Sequence, residues 1–325
     1  MNFFIGLDIG GTKIAAAIAA PNGRIIGRTK TSTPKNVRPQ DIYLCVMDSI
    51  DELIKGYGVK RSQIKGIGLG VPGIVDSYDR ILAAPNINLT GFPLSVRLKR
   101  KFRVPVAMSN DVNAGLLGEA WLGAAKGLNN VAGIFPGTGI GGAVVLQGQI
   151  FLGEQGAAAE FGHMIMDVNG PLCHCGNNGC LESLASRWAI ERDIRVLIKS
   201  GRKSVITTMT GGNLSAIKSR VLKGALAEND AVVKMVLSKA SGYLAKAAVS
   251  INHIFNPQAI VFGGGVIKAC GHFMVPIINK TVQMDPFFKK FNICRVLQSK
   301  LEDDAVLLGA IRLAQGKTKQ NNGIP

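Results

Sequence analysis

Residues 3–20 read FFIGLDIGGTKIAAAIAA. Two apolar runs of strand length, Phe3 to Ile9 and Lys13 to Ala20, flank the turn Asp8-Ile9-Gly10-Gly11-Thr12. Arg24 to Thr31 reads as a third strand. The same device returns about 125 residues later. There, Val131 to Phe135 and Gly142 to Gln147 are apolar strands around Gly137-Thr138-Gly139-Ile140-Gly141. Strand, Gly/Thr turn, strand, used twice, predicts a duplicated α/β domain.

Working outward, Asp41 to Tyr57 has helical periodicity, with Ile42, Leu44, Cys45, Val46, Ile50, Leu53 and Ile54 apolar. Ile64 to Val71 is an apolar strand ended by Pro72-Gly73. Leu94 to Phe102 reads as a helix and Val104 to Met108 as a strand. Ser109-Asn110-Asp111 then leads into a helix through Trp121. Further on come helices Ser183 to Lys199 and Ala231 to Phe255, and a strand Ala259 to Phe262 running into Gly263-Gly264-Gly265. A last helix spans 303–315, with Asp303 and Asp304 at its positive end and Gly316 as its stop. The expected division is a small N-terminal α/β domain over 1–115, completed by that last helix, and a larger one over 116–302. A disordered tail is expected over 317–325.

At 325 residues, 47% hydrophobic and 18% charged, the chain is globular and long enough for two domains. It opens on MNFFIGLDIGG, without a basic leader, so no signal peptide is expected. The uncharged stretch from Leu128 to Gly153 is long enough to suggest a membrane span, but Pro136 and its glycines point to buried hairpin strands. Cys45, Cys270 and Cys294 read as core thiols, which fits a reducing cytoplasm. The net charge of +17 invites a nucleic-acid reading, yet only 6% of residues are aromatic. The densest cluster, Arg97, Lys99, Arg100, Lys101 and Arg103, reads as a solvated helix face. No specific nucleic-acid partner is expected.

Glycine turns between strands expose backbone N–H groups, which suit phosphate. In the first turn Thr12 adds a hydroxyl and Asp8 a carboxylate able to orient hydrated Mg²⁺. Gly137-Thr138-Gly139 offers a second clamp. No G-x-x-x-x-G-K-[ST] is present, which excludes a P-loop. Gly137 to Gly142 fits G-x-G-x-x-G only between two strands, which excludes a dinucleotide fingerprint. Gly263-Gly264-Gly265 leaves room for a flat ring against the backbone, or is a plain strand-to-helix turn. Asp111 either caps its helix or accepts a proton from a hydroxyl attacking a phosphate.

Residues 163–182 place one imidazole, His163, before three thiols, Cys173, Cys175 and Cys180. Three thiolates and an imidazole complete a tetrahedral, structural zinc site. His174 competes as the fourth ligand. A disulfide or three unrelated core thiols are the alternatives.

Seven motifs occur in order: LDIGGTK, GVPG, SNDVNAGLLGEAWLG, GTGIGG, EFGH, CHCGNNGCLE and IVFGGGV. Together they resemble the repressor–open-reading-frame–kinase (ROK) family of sugar kinases, from Phe4 to about Ala314. The resemblance implies a duplicated actin/hexokinase-like (ribonuclease H-like) ATPase fold, two domains around a cleft, and transfer of phosphate from ATP with Mg²⁺ to a sugar hydroxyl. It implies Asp111 as catalytic base, and Asn86, Asn110, Asp111, Glu160, His163 and Glu182 as sugar contacts. Asp8, Gly10, Gly11, Thr12, Lys13, Gly137, Thr138 and Gly139 match nucleotide-phosphate positions, Gly264 and Gly265 the adenosine contact, and His163, Cys173, Cys175 and Cys180 the structural Zn²⁺. His163 then serves twice, one ring nitrogen on zinc and the other on the sugar.

Four residues depart from the family pattern: Phe135 and Pro136 before the second turn, Ala143 after it, and Ala159 where glycine is usual. The resemblance further implies a homodimer. Glucose, phosphorylated to glucose 6-phosphate, is the first expectation, with N-acetylmannosamine, N-acetylglucosamine, fructose or allose as alternatives. The family also contains repressors, which carry a helix-turn-helix before the DIGGT-like segment. Asp8 lies too early here for one, so a kinase is expected over a DNA-binding regulator or a non-catalytic sugar sensor.

Overall fold

The computed structural model describes residues 1–34, 37–290 and 294–321. The chain forms two compact units, one of Met1–Asn129, Val144–Ala159 and Asp303–Pro325, the other of Asn130–Ala143 and Glu160–Glu302. The expected boundary at residue 115 therefore differs from the observed one. The segment 144–159, expected in the larger domain, groups with the first unit.

In the first unit, β1 (Phe3–Ile9), β2 (Lys13–Ala19) and β3 (Ile25–Ser32) form an antiparallel meander. Helix α1 (Pro39–Gly56) follows, then β4 (Ile64–Val71), the short strands β5 (Ile74–Val75) and β6 (Ile81–Ala83), helix α2 (Leu94–Phe102), β7 (Val106–Asn110) and α3 (Asp111–Leu122). The sheet order is β3-β2-β1-β4-β7, with β1, β4 and β7 parallel.

The second sheet uses β8 (Val131–Pro136), β9 (Ile140–Leu146) and β10 (Gln149–Ile150). Helices α4 (Leu181–Ala185), α5 (Arg187–Lys199), α6 (Val205–Met209), α7 (Ser219–Ala227) and α8 (Ala231–Phe255) follow, then β11 (Ala259–Phe262), α9 (Gly264–Gln283) and β12 (Arg295–Gln298). The chain ends in α10 (Ala305–Asn321). The second order is β10-β9-β8-β11-β12, with β8, β11 and β12 parallel. In each sheet the strands lie third-second-first-fourth-fifth in chain order. The duplication expected from the two glycine turns is thus present in the topology.

In the first unit, Ile5, Leu7 and Ile9 of β1 and Ile14 and Ile18 of β2 are fully buried with Ile42, Val46, Ile50 and Leu53 of α1. Each such side chain is worth about 1.5–3 kcal/mol of burial. Leu44, placed on that stripe by the sequence, is 49% exposed, because it falls between the residues that face the core. Helix α10 lies so close to the sheet that a Cβ on Gly68 would stand 1.8 Å from the Ala310 carbonyl oxygen. That approach requires glycine.

Two helices differ from expectation. The helix read over 183–199 is two, broken at Ser186, whose Oγ accepts from Ala189 N at 3.3 Å and caps α5. The last helix passes Gly316 instead of stopping there. Thr318 Oγ1 donates to Ala314 O at 2.8 Å and Lys65 O at 3.2 Å, and Lys317 pairs with Asp79 at 3.0 Å. These contacts offset the cost of an interior glycine, about 1 kcal/mol. Of the tail expected to be disordered, 317–321 is helical, and 322–325 lies outside the described residues. Cys270 and Cys294 are buried as expected, while Cys45 is half-buried. Among the described residues, no helix is long and apolar enough to cross a membrane.

Candidate functional site

The first unit presents Asp8 to Lys13 as the hairpin between β1 and β2, closed by Gly10 N donating to Lys13 O at 2.8 Å. Thr33 braces the hairpin, its Oγ1 donating to Gly10 O at 2.5 Å and its N to Thr12 O at 3.1 Å. Burial raises the Asp8 pKa, Lys13 pulls it back, and Asp303 adds to the rise. The Asp303 field is not legible in any local motif. Gly11 sits against Asn86, since a Cβ there would be 2.7 Å from the Asn86 carbonyl oxygen. Both border an open cavity of about 770 Å³, also lined by Thr33, Arg38, Asn88 and Thr90.

Asn110 ends β7 and caps α3. Its Oδ1 accepts from Val112 N at 2.8 Å and Asn113 N at 3.3 Å, and its Nδ2 donates to Gly73 O of the GVPG turn at 2.8 Å. The cap role weighed for Asp111 therefore belongs to Asn110. Asp111 is the first helical residue, half-buried, with Oδ1 accepting from Val112 N at 2.9 Å.

In the second unit, Gly137-Thr138-Gly139 links β8 to β9. Gly137 N donates to Gly139 O at 2.8 Å. The junction of α4 and α5 grips this turn. Arg187 N donates to Gly137 O at 3.0 Å, Arg187 Nη2 to Thr138 Oγ1 at 2.9 Å, and Ile140 N to Glu182 Oε2 at 2.9 Å. Glu182 also reaches the cysteines, its Oε1 standing 3.8 Å from Cys173 Sγ. Arg187 belongs to no motif, and sequence reading missed it.

His163, Cys173, Cys175 and Cys180 place their ligand atoms within 4.8 Å of one another. Cys175 and Cys180 sulfurs are 3.6 Å apart, and Cys173 Sγ is 3.8 Å from His163 Nδ1. A tetrahedral site with Zn–S bonds of ~2.3 Å needs sulfurs ~3.8 Å apart, so these residues fit zinc. His174 is elsewhere, its ring 4.6 Å from that of Trp188. The loop has its own brace in Cys173 N donating to Asn177 O at 2.8 Å. The Asn177 backbone N–H, ahead of the neighbouring thiols, pulls Cys175 down to about 7, while burial pushes Cys180 up to about 12. With Nδ1 toward the sulfurs, His163 keeps Nε2 for another partner. Glu160 precedes it, His163 N donating to Glu160 O at 2.9 Å. Glu160 is exposed by area, yet the surrounding protein strips enough water from its carboxyl to raise its pKa. His163 opposes that rise and Glu182 adds to it.

Gly263, Gly264 and Gly265 open α9. A Cβ on Gly263 would stand 2.7 Å from the Phe135 ring, and one on Gly264, whose φ is +78°, 2.6 Å from Pro136 O. The departures Phe135 and Pro136 thus fill the space that two of these glycines leave. Gly265 would meet only Ser219 Oγ, at 3.6 Å, so protein packing does not demand glycine there. Ala143 is buried within β9. Ala159 adopts φ +63°, which explains why glycine suits this position and costs alanine about 1–2 kcal/mol.

Residues 4–317 match the ROK family. The chain belongs to that family. It is 32% identical to a glucokinase of Thermotoga maritima over 310 residues, 94% of this chain and 95% of that protein. It is 28% identical to a xylose repressor of Caldicellulosiruptor bescii, over 95% of this chain and 77% of the repressor. Among solved structures, a ROK glucokinase from Streptomyces griseus in complex with glucose and AMPPNP superposes with a TM-score of 0.80 at 30% identity, covering 97% of this chain and 100% of that one. The actin/hexokinase-like fold of ROK sugar kinases is the fold of this chain.

Proposed function

We propose that this ROK protein is an ATP-dependent hexose kinase that converts glucose to glucose 6-phosphate. The observation that carries the reading is the placement of Asp111. It stands at the end of β7, on the first turn of α3, while Asn110 takes the capping duty. A carboxylate so placed is suited to accept a hydroxyl proton. Similarity to glucokinases over almost the whole chain supports the same reading.

In the proposed reaction the sugar O6 forms a bond to the γ-phosphorus, the bond from that phosphorus to the β–γ bridging oxygen breaks, and the O6 proton passes to Asp111. Asn86, Asn110, Glu160, His163 and Glu182 are the proposed sugar contacts. They supply the mixed donors and acceptors that hydroxyls require. The turns Gly10-Gly11-Thr12 and Gly137-Thr138-Gly139 supply phosphate contacts, with Lys13 beside the first. Gly264 and Gly265 form the adenosine contact. Asp8 is the proposed holder of hydrated Mg²⁺, which neutralises phosphate charge when bound. His163, Cys173, Cys175 and Cys180 are the proposed zinc ligands, and zinc bound there would fix the loop that leads into Glu182. The working form is proposed to be a cytoplasmic homodimer without a specific nucleic-acid partner.

The test is an ADP-release assay with Mg-ATP across glucose, fructose, allose and the N-acetylhexosamines. Strong turnover on glucose alone is expected. Preference for N-acetylmannosamine or another sugar moves the chain to a different branch. ATP binding without turnover on any sugar replaces the kinase with a sugar-sensing regulator.

A further inference from the structure

The proposed phosphate turn carries a cation that no family motif assigns. Arg187 is the first residue of α5, and its backbone and side chain both hold the turn, N to Gly137 O at 3.0 Å and Nη2 to Thr138 Oγ1 at 2.9 Å. On its other side, Nε pairs with Glu191 at 3.2 Å, one helical turn along. The side chain is only 30% exposed, so its direction is fixed. Thr138 occupies Nη2, whereas Nε meets Glu191 only as an ion pair and is buried without a hydrogen-bond partner among the described residues.

The surroundings hold more positive charge than one carboxylate balances. Arg187, Arg195 and Lys218 all act electrostatically on Glu191. Arg195 Nε is buried without a hydrogen-bond partner among the described residues. Lys218 immediately precedes Ser219, whose Oγ lies 3.6 Å from where a Gly265 Cβ would stand. Three cations facing one acid, beside a glycine turn, are the charge pattern of a polyphosphate cradle.

We propose that Arg187 is a nucleotide-phosphate ligand of this chain. Its guanidinium, held by Thr138 and Glu191, takes the terminal phosphates of the nucleoside triphosphate. Arg195 and Lys218 supply a positive background. The proposal rests on the phosphotransfer reading above. The planar fork matters, because two N–H groups can meet two phosphate oxygens where an ammonium offers a single point charge.

The test is calorimetric titration of AMPPNP, and separately of adenosine, into the full chain. The variants are Arg187→Met, Arg187→Lys and, as a charge control on the exposed end of α5, Lys199→Gln. Arg187→Met is expected to weaken AMPPNP roughly ten- to hundredfold, the range for lost charge-assisted hydrogen bonds. Adenosine affinity should stay within about twofold of wild type. Arg187→Lys is expected to recover part of the AMPPNP affinity, and Lys199→Gln all of it. In turnover, KM for ATP should rise while KM for the sugar holds. Unchanged AMPPNP affinity in Arg187→Met overturns the proposal. So does an equal loss of adenosine, the mark of a residue that only pins the turn. If the Met variant does not fold, Arg187→Lys decides, since wild-type AMPPNP affinity there removes the fork argument. Wild-type protein that binds neither AMPPNP nor adenosine sinks the phosphotransfer reading itself. Wild-type turnover beside an unaffected Arg187→Met sinks only the proposal.

Discussion

Glu182 Oε2 accepts a hydrogen bond from Ile140 N at 2.9 Å, and so one carboxylate joins the loop of cysteines to the Gly137-Thr138-Gly139 turn. A residue proposed to bind sugar also shapes a turn proposed to bind phosphate. Gly139 leaves it room, because a Cβ there would stand 2.2 Å from the same oxygen.

Gly139→Ala should therefore reproduce part of the Glu182→Ala loss. Each removes the Ile140 contact, one by deletion and the other by displacement. A hydrogen bond to a charged group is worth about 1.5–3 kcal/mol, so its loss should lower kcat/KM roughly ten- to a hundredfold in each. The double variant should lose little more than Glu182→Ala alone, since both break one linkage. Steady-state kinetics of the four proteins checks this. Fully additive losses would show that the two residues act separately.

Asp111 and Asn110 should separate cleanly. Asp111→Asn should lower turnover by roughly 10²- to 10⁴-fold, the usual size of a general-base contribution, with AMPPNP affinity and melting temperature near wild type. Asn110→Ala removes the α3 cap and the tie to Gly73 O, and should cost about 1 kcal/mol or more of stability. Melting curves and turnover on the same samples decide. Near-normal turnover in Asp111→Asn would falsify the base assignment.

Asp8 should trade stability for function. Its folded pKa lies above the ordinary 3.8, with burial as the largest cause, so the fold disfavours the charged form. The sign follows from linkage. The unfolded chain ionises first, and stability falls as pH rises from the ordinary value through the raised one. Asp8→Asn removes that penalty. It should melt higher than wild type at neutral pH, with the gap closing toward pH ~4, and it should lose turnover. A neutral-pH melting point below wild type would mean that the Lys13 attraction outweighs burial.

The parts of this fold that were legible in the sequence depend on nearby residues. A glycine turn between two apolar runs is a local statement, and it was enough to expose the duplicated topology. The zinc residues cluster within 18 positions, so spacing alone suggested their assembly. Ser186 was also local evidence, yet the apolar periodicity on both sides masked its capping role. The extension of α10 past Gly316 depends on Lys65, 253 residues from Thr318, and no window of sequence contains both. Arg187 was illegible for the same reason, since its partner Thr138 is 49 residues away. Phe135 and Pro136, departures from the family pattern, lie against Gly263 and Gly264, which are too far along the chain for any local window to relate.

The cysteine loop makes a prediction in which the two histidines must part. The purified chain should hold one zinc. His174→Ala should keep it, because that ring lies against Trp188, whereas His163→Ala and Cys175→Ser should lose it. Ligand thiols must shed protons to bind, so zinc retention should fall as pH drops. Metal content by mass spectrometry, read beside proteolysis of residues 163–182, provides the check. Removal should open that segment to protease and lower turnover together, because Glu182 follows Cys180 by two residues and holds Ile140. Zinc loss that exposed the loop but spared turnover would place the metal outside the machinery that Glu182 links.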